Sequence, residues 1–136
     1  MHGDEYNIIA KDQNEIVGYI LAMTKKSKAD IPILIPMFDC FDKIKHQGKV
    51  ISDYNYIVVG QVCIDKEYRG KGLFDGSYET YKNNFKNKYD FAITEIATTN
   101  TRSRAAHKRI GFEEIYAYKD FNGTEWRIVI WDWNTH

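Results

Sequence analysis

The sequence contains little cysteine or proline and has no excess of charge of either sign. Two cysteines in 136 residues are too few for a disulfide scaffold, and Cys40 and Cys63 lack the spacing of a metal site. Two prolines and nine glycines exclude a collagen-like chain or a linker. The 19 basic and 19 acidic residues balance, so no overall field would attract nucleic acid or an anionic membrane. We therefore predict no metal, no nucleic-acid partner and no membrane partner.

Long hydrophobic runs are also missing. The longest apolar stretches, residues 16–23 and 31–38, are about half of what a membrane-spanning helix needs. The start of the chain has no basic segment followed by an apolar one, so no export signal is predicted. The composition is nevertheless that of a folded protein, with 43% hydrophobic and 15% aromatic residues. These features predict a cytoplasmic protein with a single domain over residues 1–136.

Hydrophobic patterns and turn residues predict six strands and two helices. The strands are predicted at residues 6–10, 16–23, 56–64, 91–97, 115–119 and 125–133, and the helices at 73 to about 88 and 103–110. Residues 24–50 are predicted to be irregular, because Pro32 and Pro36 exclude a long helix. The strand at 56–64 is almost continuously apolar, which indicates burial on both faces, and Gly60 within it indicates a bulge or a close approach.

A glycine-containing loop, residues 68–73, joins this strand to the first predicted helix. Glycines let backbone N–H groups approach an anion at the positive end of a helix, although a plain tight turn has the same pattern. A Walker loop is excluded, because it would need glycine at Asp65 and serine or threonine at Gly72. A dinucleotide fingerprint is excluded, because it would need a small residue at Asp75. The loop therefore indicates some other phosphate site, or only a turn.

Two segments resemble the signatures of the GNAT family of N-acetyltransferases. Residues 64–73 are similar to its acetyl-CoA loop, in which Arg69 and Gly72 match the motif and Phe74 departs from it. Asn100, the following helix and Gly111-Phe112 are similar to its second signature. The resemblance extends from Tyr6 to the end of the chain. It implies an α/β (α+β) fold with a mixed, mostly antiparallel sheet flanked by helices, in the order β-β-(loop)-β-α-β-α-β-β.

The resemblance also implies where acetyl-CoA binds, namely at a splay between the strands at 56–64 and 91–97. Three groups of residues would contact it. Backbone groups of one strand would meet the pantetheine arm, the loop and first helical turn would hold the pyrophosphate, and the start of the second helix would bond to pantetheine. These residues are Val62, Cys63 and Ile64; Arg69, Gly70, Lys71, Gly72, Leu73, Phe74 and Asp75; and Asn100 and Ser103.

Two further residues are candidates for proton transfer. Glu95 lies where several GNAT relatives place a carboxylate base, and an amine nucleophile must lose a proton before it attacks. His107 stands where the family usually has a tyrosine that protonates the departing thiolate. Simpler readings are a paired or solvent-facing Glu95 and an ordinary surface His107. For Cys63, a buried strand thiol is favoured over a nucleophile.

Three functions remain open on the sequence. We expect an N-acetyltransferase acting on a primary amine of a peptide or small molecule, and the alternatives are a non-catalytic acyl-CoA-binding module and a nucleotide-phosphate binder. The strand and two helices that usually begin the family fold have no counterpart before residue 6, which indicates either a truncated form or an unusually short variant of the fold. An exposed sheet edge left at that point would favour a homodimer.

Overall fold

A computed structural model describes residues 6–13, 15–24, 34–65, 67 and 72–133. All six predicted strands and both predicted helices are present, with one additional short helix and a small hairpin. The elements are β1 Tyr6–Asp12, β2 Glu15–Met23, α1 Ile35–Phe41, β3 Lys45–His46, β4 Lys49–Val50, a 3₁₀ turn Ile51–Asp53, β5 Tyr56–Ile64, α2 Leu73–Phe85, β6 Phe91–Ala97, α3 Thr101–Ile110, β7 Glu113–Lys119 and β8 Glu125–Asp132.

Six strands form one sheet in the order β1-β2-β5-β6-β8-β7. Every neighbouring pair is antiparallel except β5 and β6, which are parallel. Parallel neighbours need a crossover connection, and the chain between β5 and β6 contains α2. The predicted mixed, mostly antiparallel sheet is thus confirmed, and β5–β6 is the place where its strand direction changes.

Each face of the sheet has its own hydrophobic cluster. On one face, α1 contributes Met37, Phe38 and Phe41 to a cluster that includes Phe91 and Ile93 of β6. We call this the α1 face. The opposite face, which we call the α2 face, combines sheet residues with aromatic side chains of α2; its members include Ile57, Ala92, Ile96, Tyr78, Tyr81, Phe85 and Phe112. Side chains of β6 therefore alternate between the two faces, as a strand requires.

Local sequence signals explain where the helices begin and end. Gly72 precedes α2 with a φ of 80°, a left-handed conformation that glycine adopts without strain. Asn100 caps α3 by accepting a hydrogen bond from the Ser103 N–H at 3.1 Å. Gly111 ends α3 with a φ of 131°. The predicted end of α2 near residue 88 is three residues too late, because the Lys88 and Tyr89 N–H groups both turn back to the Phe85 carbonyl.

The segment predicted to be irregular contains more structure than its sequence indicated. Helix α1 begins at Ile35 with Pro36 in its first turn, where the missing proline N–H removes no helical hydrogen bond. Strands β3 and β4 then form a hairpin whose turn includes Gly48 with a φ of 84°. Of the apolar stretch 31–38, residues 35–38 belong to α1.

Candidate functional site

Strands β5 and β6 run side by side for three residues and then separate. They pair at Tyr56–Phe91, Ile57–Ala92 and Val58–Ile93. Beyond this point β5 continues to Ile64 while paired with β2, and β6 continues to Ala97 while paired with β8. We call the space between residues 59–64 and 94–97 the fork. It is the splay that the sequence resemblance implied.

A bulge at Gly60 accompanies this separation. Leu21 of β2 is opposite Gln61 and Ala22 is opposite Val59, which leaves Gly60 as the extra residue. A Cβ atom at Gly60 would lie 2.7 Å from Cε of Met23, so the Met23 side chain packs directly against this glycine. Bulges bend a strand and increase its twist. Of the bulge or close approach that Gly60 predicted, the bulge is confirmed.

Thr94 stabilises the point where the strands diverge. Its buried hydroxyl donates a 2.6 Å hydrogen bond to the carbonyl oxygen of Val59, one residue beyond the last β5–β6 pair. A buried carbonyl without a partner is costly, and this bond supplies one where pairing with β6 has ended. Thr94 was not identified as a functional residue from the sequence.

The C-terminal end of β5, at residues 62–64, is more exposed than its apolar sequence predicted. Val62 and Ile64 are half-buried and Cys63 is exposed, whereas residues 56–59 are all buried. In the described part of the chain, β5 pairs beyond Val58 with β2 only. The prediction that the Cys63 thiol is buried is wrong, because β6 no longer lies beside β5 at this point. The same divergence leaves strand backbone open toward the fork.

The N-terminus of α2 contains Gly72, Leu73, Phe74 and Asp75, four of the predicted cofactor-binding residues. No side chain caps this helix, and the first N–H groups of any helix lack partners within it. The Phe74 ring is half-buried and packs edge-on against Tyr78, with ring centroids 5.1 Å apart. The ring is thus packed toward the interior. Arg69, Gly70 and Lys71 lie outside the described residues.

An ion pair connects the start of α2 to α3. Arg109 Nη2 lies 2.6 Å from Asp75 Oδ1, and the guanidinium also lies 5.9 Å from the centre of the Phe74 ring. Both charged side chains are more than half exposed. The pair offsets the negative charge of Asp75 in the first turn of α2.

The predicted residues of α3 are linked by hydrogen bonds. Asn100 uses its side-chain oxygen to cap the helix, and its amide NH₂ group is a separate donor. The Ser103 carbonyl lies 2.8 Å from His107 Nδ1, and the Ser103 hydroxyl lies 3.3 Å from the same atom. A carbonyl oxygen can only accept, so Nδ1 carries a proton.

His107 is buried, with 2% of its surface exposed. Its Nε2 lies 2.8 Å from the Tyr78 hydroxyl, and since Nδ1 is the protonated nitrogen, the phenol is the donor in this bond. Burial lowers the pKa of the imidazole, against a smaller opposite effect of the Ser103 carbonyl. The side chain is therefore neutral, and both of its ring nitrogens form hydrogen bonds, one to Tyr78 of α2 and one to Ser103 of α3. The simpler reading of an ordinary surface histidine is wrong.

Glu95 lies on the other side of the sheet from His107. On β6, Phe91 and Ile93 belong to the α1-face cluster, and strand alternation puts Glu95 on the same face. His107 packs instead against Phe112 of the α2-face cluster, at 5.1 Å between ring centres. The structure therefore places the two candidate proton-transfer residues on opposite faces and does not bring them into contact.

The Glu95 carboxyl group has an unusual environment. It is half-buried, and burial raises its pKa from 4.5 to about 7, with a smaller contribution from the negative charge of Asp120. The Tyr118 hydroxyl donates a hydrogen bond to Oε1, which opposes this rise by favouring the ionised form. Cys40 of α1 lies close enough for the charge of Glu95 to contribute to the raised pKa of its thiol, which is due mainly to burial.

Tyr118 is a member of the site that the sequence did not reveal. It is one of several aromatic residues on the last two strands. A signal existed in the alternation of β7, which puts Tyr116 and Tyr118 on one face. That signal could be used only with the strand order, because β7 is separated from β6 by β8.

Within the described ranges, no group of three or more His, Cys, Asp or Glu side chains could hold a metal ion. In the same part of the chain, no helix combines the length and apolar character needed to cross a membrane.

Comparison with known proteins identifies the family. The Acetyltransferase (GNAT) family matches residues 1–112. The chain belongs to the GNAT family of acetyltransferases. The forked pair of parallel strands, the glycine before α2 and the helix capped by Asn100 are thus features of a GNAT acetyltransferase domain. No curated protein sequence matches this GNAT chain.

Solved structures share the GNAT fold at low sequence identity. The ribosomal-protein alanine N-acetyltransferase from Escherichia coli is 12% identical with a TM-score of 0.66, covering 100% of this chain and 74% of that one. A Streptococcus mutans protein is 15% identical with a TM-score of 0.70, over 98% and 73%. A GNAT family acetyltransferase from Elizabethkingia anophelis with acetyl-CoA bound is 14% identical with a TM-score of 0.68, over 95% and 76%.

Proposed function

We propose that this GNAT acetyltransferase moves the acetyl group of acetyl-CoA to a primary amine, with Glu95 as the general base. The observation that carries the proposal is a half-buried carboxyl group on β6 beyond its last pair with β5, with its pKa raised to about 7. A base with a pKa near the working pH is ionised in a large fraction of molecules and still binds a proton well. A solvent-exposed glutamate would be a much weaker base.

The residues around the fork suit acetyl-CoA as the cosubstrate. The edge of β5 at Val62–Ile64 offers backbone groups to an extended ligand that lies beside it like a further strand. The uncapped first turn of α2 offers N–H groups to a diphosphate. The Asn100 amide supplies another donor. The set proposed from sequence is completed by Ser103 and by Arg69, Gly70 and Lys71. Acetyl-CoA supplies the activated acetyl group when bound.

In this proposal the chain contributes three actions to the reaction. Glu95 accepts a proton from the ammonium form of the acceptor, directly or through water, since a free lysine-like amine has a pKa near 10.4 and is mostly protonated. Backbone N–H groups of Cys63 or Ile64 donate to the oxygen that gains negative charge. The fork holds the two reactants together.

His107 is the proposed proton donor to the departing thiolate, and its surroundings limit that role. Its Nε2 accepts from Tyr78, and its Nδ1–H donates to the Ser103 carbonyl. Either bond would have to open before the ring could protonate a leaving group. A thiolate whose acid has a pKa near 8.5 can leave without a donor, so the proposal depends on Glu95 and not on His107.

The acceptor is a primary amine of a peptide or a small molecule. Both classes are represented among the structural neighbours, one a ribosomal-protein alanine N-acetyltransferase and one a nourseothricin acetyltransferase. The pairing of two copies through an edge strand stays a prediction from sequence.

Turnover with a panel of amines tests the proposal. Release of free thiol from acetyl-CoA is measured with peptides, polyamines and antibiotic amines. Glu95→Gln keeps the shape and removes the base, and should lower kcat/KM by about 100-fold or more. Glu79 is exposed on α2, and Glu79→Gln, the matched control, should retain full activity.

Two results would contradict the proposal. Tight binding of acetyl-CoA without turnover on any amine would indicate the non-catalytic acyl-CoA-binding module. Thermal stabilisation by ATP or NAD, with none by CoA, would indicate the nucleotide-phosphate binder, because a ligand raises the melting temperature only of a fold that binds it.

A further inference from the structure

Tyr118 reaches Glu95 across an intervening strand. In the sheet, Glu95 of β6 is opposite Ile128 of β8, and Tyr118 of β7 is opposite Trp126 of β8. The phenol therefore extends diagonally over β8 on the α1 face, and its hydroxyl donates to Glu95 Oε1. Through this contact, a residue of the edge strand β7 forms a hydrogen bond with the candidate base.

Two other titratable groups, Cys40 and Asp120, lie near the hydrogen bond between Tyr118 and Glu95. Cys40 of α1 faces Glu95 as a neutral thiol, since burial raises its pKa. Asp120, in the turn after β7, contributes negative charge. Its own carboxyl oxygens accept hydrogen bonds from the Trp126 indole and from turn amides, which hold its pKa down. In the described part of the chain, Tyr118 is the hydrogen-bond donor to the Glu95 side chain.

We propose that Tyr118 is a positioning residue for Glu95: its hydroxyl fixes the carboxylate through Oε1 and leaves Oε2 to take the proton of the acceptor. The inference rests on the proposed function, in which Glu95 is the base. Tyr118 remains a donor at every working pH, because burial and the adjacent Glu95 carboxylate raise the pKa of the phenol. Its ring packs against the α1-face cluster, which restricts the movement of the hydroxyl.

Removing the hydroxyl should alter proton transfer more than substrate binding. The bond favours the ionised form of Glu95, so in Tyr118→Phe the carboxyl pKa should rise. The acidic limb of the kcat/KM profile should move upward by about one pH unit, as expected for loss of one hydrogen bond to a charged group. We expect kcat to fall by about 10-fold, with the KM for acetyl-CoA unchanged.

Tyr116→Phe provides a matched control on the same strand and the same face. Tyr116 is 39% exposed, and loss of its hydroxyl should leave the pH profile and kcat as they are. A Tyr118→Phe profile identical to that of the unmodified protein would overturn the proposal. A similar shift in both variants would also overturn it, because the effect would then not depend on the Glu95 contact.

A titration that needs no turnover separates failure of this inference from failure of the proposed function. The protein is labelled with ¹³C at glutamate carboxyl carbons, and the Glu95 signal is assigned by its loss in Glu95→Gln. A carboxyl pKa that rises in Tyr118→Phe and not in Tyr116→Phe supports the contact even if no amine is acetylated. An unchanged Glu95 titration together with normal turnover rejects Tyr118 while the general-base proposal stands.

Discussion

The acid–base character of Glu95 follows from its position in an otherwise apolar strand. Phe91 and Ile93 are fully buried on the α1 face, and Glu95 is the next residue on that face. A carboxyl group that continues an apolar row loses hydration, and loss of hydration raises the pKa of an acid. The partial exposure of Glu95 at the fork keeps the group accessible. One residue of strand offset would have placed it on the α2 face instead.

The hydrogen bond between Tyr78 and His107 leads to a prediction about stability. Tyr78→Phe removes the donor to a buried imidazole nitrogen, and an unsatisfied buried acceptor costs about 1–3 kcal/mol. We expect the free energy of unfolding to fall by about this amount, measured by urea denaturation. Tyr116→Phe, at an exposed position, should show no loss. Equal stability of the two variants would mean that the Tyr78–His107 bond contributes nothing to folding.

At the scale of elements, two glycines in or next to helices should respond in opposite ways to alanine. Gly111 ends α3 with a φ of 131°, and a Cβ there would lie 2.8 Å from the indole nitrogen of Trp131. Gly76 lies inside α2, and a Cβ there would meet nothing within 4 Å. We expect Gly111→Ala to lower the free energy of unfolding by about 1–3 kcal/mol, through backbone strain and the clash. Gly76→Ala should raise it by about 0.5–1 kcal/mol.

Thermal and urea unfolding of both glycine variants give the check. If Gly111→Ala were as stable as the unmodified protein, the left-handed end of α3 and its contact with Trp131 would be wrong. A loss of stability in Gly76→Ala would mean that this position in α2 is not open.

Elements with strong local signals could be predicted from the sequence. Strand β6 has the predicted bounds, and Asn100 and Gly111 mark the cap and the end of α3, because capping and glycine conformations depend on neighbouring residues alone. The predicted strand at residues 115–119 begins two residues late, since Glu113 and Glu114 pair with β8 although both are exposed. An edge strand that faces water has no apolar pattern to mark its start.

The candidate site could be predicted only in part, because some of its features depend on the arrangement of strands in the sheet and not on local sequence. Glu95 is the one acid between residues 91 and 100, and the resemblance to GNAT proteins implied a carboxylate base at this position. Tyr118 reaches Glu95 because β8 alone separates β7 from β6 in the sheet, and the sequence alone does not give this strand order. The exposure of Cys63 depends on where β6 leaves β5, which is a property of the sheet and not of the strand. Local pattern and family resemblance identified Glu95 as a candidate, and the tertiary structure determines what surrounds it.

For the whole molecule, the raised pKa of Glu95 implies a cost in stability at neutral pH. In the unfolded chain its pKa is near 4.5, and in the folded protein it is about 7. Between these values the folded state binds more protons than the unfolded state, so the free energy of unfolding falls as pH rises. Allowing for solvent screening of a partly exposed group, we expect Glu95 to lower stability by about 1–2 kcal/mol between pH 5 and pH 8.

Glu95→Gln should remove this dependence, because a glutamine resembles the neutral acid at every pH. Glu95→Gln, which the proposed function expects to lose acetyl transfer, is therefore also expected to be more stable than the unmodified protein at pH 8, and close to it at pH 5. Urea unfolding at the two pH values, with Glu79→Gln as the exposed control, measures the difference. If Glu95→Gln instead destabilises the protein more at pH 8 than at pH 5, the carboxylate is favoured by the folded state. Its pKa would then be lowered, and Glu95 would be too weakly basic at neutral pH for the role proposed here.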